Sequence, residues 1–213
     1  MKDIVIYGAG GFGRDTKTII DAINKLNKEY NLLGYFDDGK TTNQTINNVP
    51  VLGGLDQIKA YPKPVAVAIA IANPLIRKKL VAQLVENKNL SFPNLVHPTV
   101  DLQVDETTLG IGNIICPAVV ISCNVKIHDF VIINTHCSIG HDTIVSSYTS
   151  FMPGVNVSGE VYLHESVYLG VGSTVINQVS IAAQTIVGAG AVVVNTINNA
   201  ATLVGVPAKP LIK

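Results

Sequence analysis

The chain has 213 residues, which suits one large domain or two small ones. It is 47% hydrophobic, 14% charged and neutral overall at pH 7, so it can bury a large core and has no charge bias toward nucleic acid or an anionic membrane. Its longest apolar run, residues 65–72, is too short to cross a bilayer, and no signal peptide precedes the first predicted strand. We therefore expect a cytoplasmic protein with reduced cysteines, no nucleic-acid partner and no membrane insertion.

The first part of the chain alternates predicted strands and helices. Apolar runs predict strands at residues 3–7, 32–36 and 64–72. Helices are predicted from the glycine turn to about residue 29, and over residues 74–87, where a proline stands at the tolerated first position. Strands that alternate with helices indicate a small parallel sheet, so we predict an α/β, Rossmann-like βαβ subdomain over residues 1–92.

The turn after the first strand reads GAGGFG and opens a helix. Backbone N–H groups at a helix N-terminus favour phosphate, and an acid at the end of the second strand, here Asp37 or Asp38, commonly meets a ribose or base edge. The turn is a near miss to the dinucleotide fingerprint, and the segment is too short for a full dinucleotide fold. A nucleotide or nucleotide-sugar is the favoured ligand, while NAD and a purely structural turn stay open.

The second part of the chain repeats every six residues. Fifteen positions, taken in steps of six from Leu109 to Val193, are all apolar, and the positions two residues earlier are mostly small or β-branched. A period of six does not fit a helix, but it fits short strands separated by tight corners, three to a coil of eighteen residues. This predicts a hexapeptide-repeat parallel β-helix over residues 97–213, including a C-terminal tail. Three glycines recur at the eighteen-residue spacing and suit either tight turns or close approach of a ligand: Gly154, Gly172 and Gly190.

Residues 133–142, INTHCSIGHD, hold His136 and His141 five residues apart. A zinc site would need a third histidine about two coils earlier, where the chain has Val100, so we predict no metal. His141 and Gly159 differ by one full coil and should lie on adjacent rungs, roughly 4.8 Å apart. A neutral imidazole can serve as a general base near neutral pH, and a solvent-exposed corner histidine without a role stays open as the alternative.

Six segments together carry a resemblance over nearly the whole chain: GAGGFGR, YFDDGK, AIANPLIRKKL, the hexapeptide solenoid, INTHCSIGHD and GVPAKPL. They resemble the sialic acid O-acetyltransferase-like sugar acyltransferases of the NeuD and PglD type. Within that group, the chain is most similar to bacterial N-acetyltransferases that act on nucleotide-linked 4-amino-sugars. The resemblance implies a left-handed β-helix, a homotrimer with active sites between subunits, a nucleotide-sugar bound on the N-terminal domain, and acetyl-CoA as co-substrate along the solenoid.

The same resemblance implies roles for individual residues. His141 is the expected general base, Asp142 lies beside it, and the amide of Gly159 faces the thioester carbonyl. The expected contacts to acetyl-CoA are Asn134, Gly159, Val171, Ala189 and Lys209. The expected contacts to the nucleotide-sugar are Gly10, Gly11, Phe12, Asp37, Asp38 and Asn73. Phe12 departs from the family, which commonly has a histidine there, and this departure bears on substrate choice.

The leading hypothesis is an acetyl-CoA-dependent N-acetyltransferase for surface-glycan biosynthesis. It would act on the amine of a nucleotide-linked 4-amino-4,6-dideoxy sugar by direct attack, with His141 as general base. Three alternatives stay open: O-acetylation of a sugar hydroxyl as for sialic acid, a non-catalytic sugar-nucleotide-binding module, and a metal-dependent lyase on the same solenoid. The sequence does not distinguish UDP, dTDP and GDP.

Overall fold

The computed structural model describes residues 1–102 and 107–211. Its N-terminal part is a six-stranded sheet with the strand order β3-β4-β2-β1-β5-β6, together with three helices. The strands are β1 (Lys2–Tyr7), β2 (Tyr30–Phe36), β3 (Thr45–Ile46), β4 (Val49–Gly53), β5 (Val65–Ile69) and β6 (Leu90–Ser91). The helices are α1 (Gly11–Leu26), α2 (Leu55–Lys59) and α3 (Pro74–Leu84). Within the described residues, no helix combines the length and the apolar character needed to cross a membrane.

The predicted βαβ arrangement is confirmed, because β1 pairs in parallel with both β2 and β5. Helix α1 ends three residues earlier than predicted. The side chain of Asn24 accepts hydrogen bonds from the N–H groups of Glu29 and Tyr30, which turns the chain into β2. The hairpin β3–β4 was not predicted. Its turn residues, Asn47 and Asn48, both have positive φ, as a two-residue hairpin turn requires.

The C-terminal part is a parallel β-helix with three faces. The first face is built from β10 (Val120–Ile121), β13 (Ser138–Ile139), β16 (Asn156–Val157), β19 (Thr174–Val175) and β22 (Val192–Val193). The second face is built from β8 (Thr108–Leu109), β11 (Lys126–Ile127), β14 (Ile144–Val145), β17 (Tyr162–Leu163) and β20 (Ser180–Ile181). The third face is built from β7 (Leu95–Val96), β9 (Ile114–Ile115), β12 (Ile132–Ile133), β15 (Ser150–Phe151), β18 (Tyr168–Leu169), β21 (Ile186–Val187), β23 (Thr202–Val204) and β24 (Lys209–Pro210).

The six-residue apolar series fills the interior of this β-helix. Every position from Ile115 to Val193 in that series is buried, and Leu109 packs against the same core while partly exposed. Strands pair across eighteen residues, as in Ile121 with Ile139, so the predicted coil length and the predicted parallel β-helix are confirmed. The third face begins at β7, two residues before the predicted boundary. We therefore propose to divide the chain near residue 95.

Three corners connect the faces, and each repeats every eighteen residues. The first corner leads from the first face to the second and comprises residues 122–125, 140–143, 158–161 and 176–179. The second leads to the third face and comprises 110–113, 128–131, 146–149, 164–167 and 182–185. The third leads back to the first face and comprises 116–119, 134–137, 152–155, 170–173 and 188–191. The stacked glycines of the third corner have positive φ, so they serve tight turns: Gly154, Gly172 and Gly190.

A buried arginine joins the two parts of the chain. Arg77 of α3 is 1% exposed, and no acidic side chain within residues 1–102 and 107–211 pairs with it. Its guanidinium instead donates to five carbonyl oxygens and one hydroxyl, from Ile71, Ala72, Phe130, Tyr148, Thr149 and Ser150. The first two acceptors follow β5, and the others lie on the second corner and the third face. One side chain therefore fixes the N-terminal sheet against the solenoid.

We expect Arg77→Met to lower the free energy of unfolding by about 3–5 kcal/mol, because it leaves buried carbonyl groups without a donor. The measurement is urea unfolding followed by circular dichroism at a fixed protein concentration. Lys78→Met is the matched control: Lys78 is the next residue on α3, and its ion pair with Glu165 is solvent-exposed, so little change is expected. Equal unfolding midpoints for the two variants would contradict the structural role of Arg77.

Candidate active site

The first corner of the β-helix brings His141 and Asp142 into direct contact. The ring nitrogen Nδ1 lies 2.8 Å from Asp142 Oδ2. Adjacent strand residues point to opposite faces, but the left-handed backbone of Asp142, with φ 58°, turns the chain and allows the contact. An ionised carboxylate only accepts hydrogen bonds, so Nδ1 carries the hydrogen and Nε2 is left as the acceptor of the neutral ring.

Gly159 lies directly against the imidazole on the next rung, as the sequence predicts. A Cβ atom at this position would come within 2.6 Å of both Cε1 and Nε2 of His141, so any side chain here displaces the ring. In the part of the chain that the structure describes, the N–H of Gly159 has no hydrogen-bond acceptor. A proton acceptor and an unused backbone donor therefore share one small region at this corner.

Gly140 is a requirement of this corner that sequence reasoning missed. A Cβ atom at Gly140 would lie 2.4 Å from the backbone nitrogen of Gly159, because the Ser158–Gly159 peptide sits directly above it. Only a residue without a side chain lets the two rungs approach this closely. The signal in the sequence was the pair Gly140–His141 followed eighteen residues later by Ser158–Gly159.

The electrostatics of the corner favour an ionised carboxylate. Hydrogen bonds from His141 and then from the Asn124 side chain lower the pKa of Asp142 below its ordinary value. A negative Asp142 stabilises positive charge on the imidazole when Nε2 takes a proton. The corner is thus chemically equipped to remove a proton from a nucleophile and to hold a developing oxyanion.

The residues predicted to contact acetyl-CoA divide between two corners. Asn134, Val171 and Ala189 lie on the third corner, whereas Gly159 lies on the first with His141. Val171 is exposed, and Asn134 accepts a hydrogen bond from the following backbone N–H. A single chain therefore does not bring the whole predicted set together. Lys209 is exposed on β24, which pairs antiparallel with β23.

The third corner repeats the close rung contact of the first. A Cβ atom at Gly170 would lie 2.7 Å from the backbone nitrogen of Ala189, in the same relation that Gly140 has to Gly159. The tight approach is thus a property of both stacks of small residues. Two of the predicted acetyl-CoA contacts are at this place: Ala189 is part of the close contact, and Val171 directly follows Gly170.

A cavity of about 340 Å³ opens at the carboxyl ends of the parallel strands and contains Asp37 and Asp38. Both carboxylates are anchored by the protein itself. Asp37 accepts hydrogen bonds from the N–H groups of Ala9 and Gly39, at 2.7 and 2.8 Å. Asp38 accepts one from the Leu55 N–H and one from the Tyr7 hydroxyl; burial, and then Asp38, raise the pKa of Tyr7 well above its usual range.

The other predicted nucleotide-sugar contacts lie around the starts of two helices. Gly10 and Gly11 are exposed at the N-terminus of α1, where Gly10 supplies no side-chain cap. Phe12 is partly buried and packs against the core beneath the sheet. Asn73 caps α3 by accepting hydrogen bonds from the N–H groups of residues 75 and 76. Contacts of these residues to a ligand stay predictions.

A second cavity, of about 400 Å³, separates the start of α3 from the third face of the solenoid. It is lined by Asn73 and neighbouring α3 residues on one side, and by Tyr168, Gln184 and Ile186 on the other. Residues 72–75 line this cavity, whereas Ile71 and Ile76 line the cavity at Asp37 and Asp38, so the segment 71–76 forms a wall between the two. Arg77 holds the beginning of that wall in place.

The remaining candidate ligands for a metal are dispersed. Among the described residues, no three histidine, cysteine, aspartate or glutamate side chains are grouped to hold a metal ion. His136 lies at the third corner with φ 58°, apart from His141 at the first. Cys137 is buried, as predicted from its inward position, and Cys116 is buried too; burial raises the pKa of both thiols.

We expect Gly159→Ala to lower the rate of acetyl transfer by about 10²–10³-fold, because the added methyl group displaces the imidazole from the free amide. The measurement is thiol release from acetyl-CoA in the presence of an amino-sugar acceptor. Ser158→Ala is the matched control, since it changes an exposed side chain on the same turn and adds no atom near the ring. A Gly159→Ala variant as active as this control would show that the close contact is not needed.

Comparisons with known proteins identify the family to which this chain is related. Residues 3–84 match the family described as the PglD N-terminal domain. A GDP-perosamine N-acetyltransferase from Escherichia coli O157:H7 is 31% identical over 176 residues, which cover 80% of this chain and 76% of that protein.

Solved structures extend the match to the whole chain. PerB from Caulobacter crescentus, in complex with CoA and GDP-perosamine, aligns with a TM-score of 0.90 at 28% identity and covers 99% of this chain and 98% of its own. The acetyltransferase domain of PglB from Neisseria gonorrhoeae FA1090, in complex with acetyl coenzyme A, aligns with a TM-score of 0.88 at 25% identity and covers 99% of each chain. With this fold, this first corner and these relatives, the chain belongs to the PglD-type family of hexapeptide-repeat sugar acyltransferases.

Proposed function

We propose that this protein transfers the acetyl group of acetyl-CoA to the amine of a nucleotide-linked 4-amino-4,6-dideoxy sugar. The observation that carries the proposal is the position of His141 Nε2 beside the unbonded N–H of Gly159, with Nδ1 held by Asp142. Two relatives support the reaction class. The protein from Escherichia coli O157:H7 is a GDP-perosamine N-acetyltransferase, and the structure of PerB is a complex with CoA and GDP-perosamine. GDP-perosamine is therefore the first acceptor to test.

The chemistry follows from the donors and acceptors at the first corner. The sugar amine attacks the thioester carbonyl of acetyl-CoA, and Nε2 of His141 takes the proton that the amine loses. The N–H of Gly159 donates to the oxyanion that forms, an interaction that is worth about 3–4 kcal/mol of barrier in comparable sites. The carbon–sulfur bond then breaks and the amide carbonyl is restored. The protonated imidazole of His141 gives its proton to the departing sulfur, so CoA leaves as the thiol and the ring is neutral again.

The N-terminal domain supplies the acceptor site in this proposal. The cavity at Asp37 and Asp38 receives the nucleotide, and the exposed N–H groups at Gly10 and Gly11 face the pyrophosphate. Because the carboxylates are already held by backbone N–H groups, each presents its remaining lone pairs in a fixed direction. Phe12, packed against the core, contributes shape rather than a hydrogen bond.

A complete site needs more than one copy of the chain. The base and the oxyanion donor lie on the first corner, whereas Asn134, Val171 and Ala189 lie on the third, on another side of the solenoid. We therefore propose a homotrimer in which the first corner of one subunit meets the third corner of its neighbour, with acetyl-CoA between them. Because nucleotide-sugars and acetyl-CoA are cytoplasmic metabolites, we place the protein in the cytoplasm, in surface-glycan biosynthesis.

The first test is turnover with a panel of GDP-, UDP- and dTDP-linked 4-amino-6-deoxy sugars, followed by thiol release from acetyl-CoA. We expect one of these amines to be acetylated, and His141→Ala to reduce kcat by a factor of about a hundred or more, because the proton acceptor is lost. His128→Ala is the matched control, since it also removes an exposed imidazole from a solenoid corner, but from the second corner, which takes no part in the proposed site, so turnover should be nearly unchanged.

Two results would contradict the proposal. Turnover on a hydroxyl sugar, with no turnover on any amine, would assign the protein to O-acetylation, and the alkali-labile ester would identify that product. Turnover that His141→Ala leaves intact would remove the imidazole from the mechanism.

The inter-subunit arrangement is tested by complementation. We expect His141→Ala and Val171→Trp to be inactive alone, but their co-expressed mixture to recover about a quarter of wild-type activity, because about a quarter of randomly mixed interfaces combine two intact halves. Sedimentation should give three times the 22.6 kDa protomer mass. A mixture with no recovered activity, formed from variants that do co-assemble, would place the whole site within one chain.

A further inference from the structure

Four side chains stack as a ladder at the first corner, and the mechanism proposed above gives a role to only one of them, Asp142. Asn124, Asp142, Glu160 and Gln178 follow one another at eighteen-residue intervals, each with a left-handed backbone and φ between 57° and 59°. The Asn124 amide donates to Asp142 Oδ1 at 3.0 Å, and the Gln178 amide donates to Glu160 Oε2 at 3.2 Å. Two carboxylates on adjacent rungs are thus each held by an amide from the far side.

The Asp142 carboxylate is held at both of its oxygens. Oδ2 faces Nδ1 of His141 at 2.8 Å, and Oδ1 accepts from Asn124. The backbone around it is held as well, because the Asp142 N–H donates to the carbonyl of Cys123 on the preceding rung. A carboxylate with one fixed donor on each oxygen has its rotation about the terminal bond restricted, and its direction toward the imidazole is set.

We infer that Asn124 is a positioning residue for the base, acting through Asp142; this inference rests on the proposed function. The side chains of His141 and Asp142 are 54% and 49% exposed in one chain, so water competes for both carboxylate oxygens. The Asn124 amide occupies Oδ1 and leaves Oδ2 for the ring. This selects the tautomer with hydrogen on Nδ1 and keeps Nε2 available to the amine beside Gly159.

The left-handed backbone at position 124 does not by itself account for an asparagine. The equivalent positions of the other corners hold residues as different as Phe130, Tyr148 and Gly172, all with positive φ. What distinguishes Asn124 is the direction of its amide, which meets a carboxylate that in turn meets a histidine. Gln178 makes the same kind of amide–carboxylate bond at the same corner, but Glu160 has no histidine partner. Gln178 therefore serves as an internal control for Asn124.

The test compares Asn124→Gly with Gln178→Gly, since glycine accepts the left-handed backbone without strain and each change removes one amide of the ladder. The readouts are kcat, the KM for acetyl-CoA, the KM for the acceptor sugar, and the melting temperature. We expect Asn124→Gly to lower kcat about tenfold with both KM values within about twofold, because the bond to a charged group that orients the base is lost. Gln178→Gly should leave kcat unchanged while shifting the melting temperature by a similar amount.

A double-mutant cycle separates positioning through Asp142 from a general structural effect. If Asn124 acts through the carboxylate, Asn124→Gly should add nothing to the loss of kcat in Asp142→Asn. Equal kcat values for Asn124→Gly and Gln178→Gly, or losses that multiply with that of Asp142→Asn, would overturn the inference while leaving the proposed function intact. Full activity in His141→Ala would overturn the proposed base and this inference with it.

Discussion

The arrangement of the N-terminal sheet against the β-helix depends on one buried cation. Arg77 is enclosed between the N-terminal sheet and the solenoid, and burial lowers its pKa to about 9, which still leaves the guanidinium charged at neutral pH. Five carbonyl oxygens and the Ser150 hydroxyl share that charge, and Ser150 donates in turn to Ala72. Because guanidinium is planar and presents five donors, it can bind groups from both domains at once, which a lysine in the same place does not. The wall of residues 71–76 between the two cavities is fixed by this contact.

The solenoid supplies the second constraint, which is the fixed distance between rungs. Parallel pairing across eighteen residues places His141 over Gly159, and glycines at positions 140 and 159 let the backbone and the ring approach one another. The same rung spacing stacks Asn124, Asp142, Glu160 and Gln178 into one ladder at that corner. The architecture thus repeats a short structural unit, and different residues placed on the repeat give one corner an imidazole, an unused backbone N–H and a carboxylate. In its last two coils the third corner carries mostly small residues instead.

Several features could be predicted because they rest on local periodicity or on the count between rungs. The six-residue apolar series identified the interior of the β-helix, and the difference of eighteen between His141 and Gly159 identified their contact. The strand and helix alternation identified the parallel sheet, although the Asn47–Asn48 hairpin turn was overlooked. Arg77 could not be found in this way. It lies among lysines on an ordinary helical segment, and nothing in the sequence pattern indicates that the second corner of the solenoid, more than fifty residues later, covers it.

The sequence by itself determined the repeat, the coil length and the rung neighbours, because each of these follows from spacing along the chain. It also indicated the family, through the resemblance of six segments rather than through spacing. Only the tertiary structure decided how the carboxylates are used. Asp37 and Asp38 are anchored by backbone N–H groups, Asn73 caps a helix, and Asp142 is held between an imidazole and the Asn124 amide. It also decided that the predicted acetyl-CoA contacts divide between two corners of one chain. These outcomes depend on the directions of side chains and on the packing of distant segments, which the linear spacing of residues does not contain.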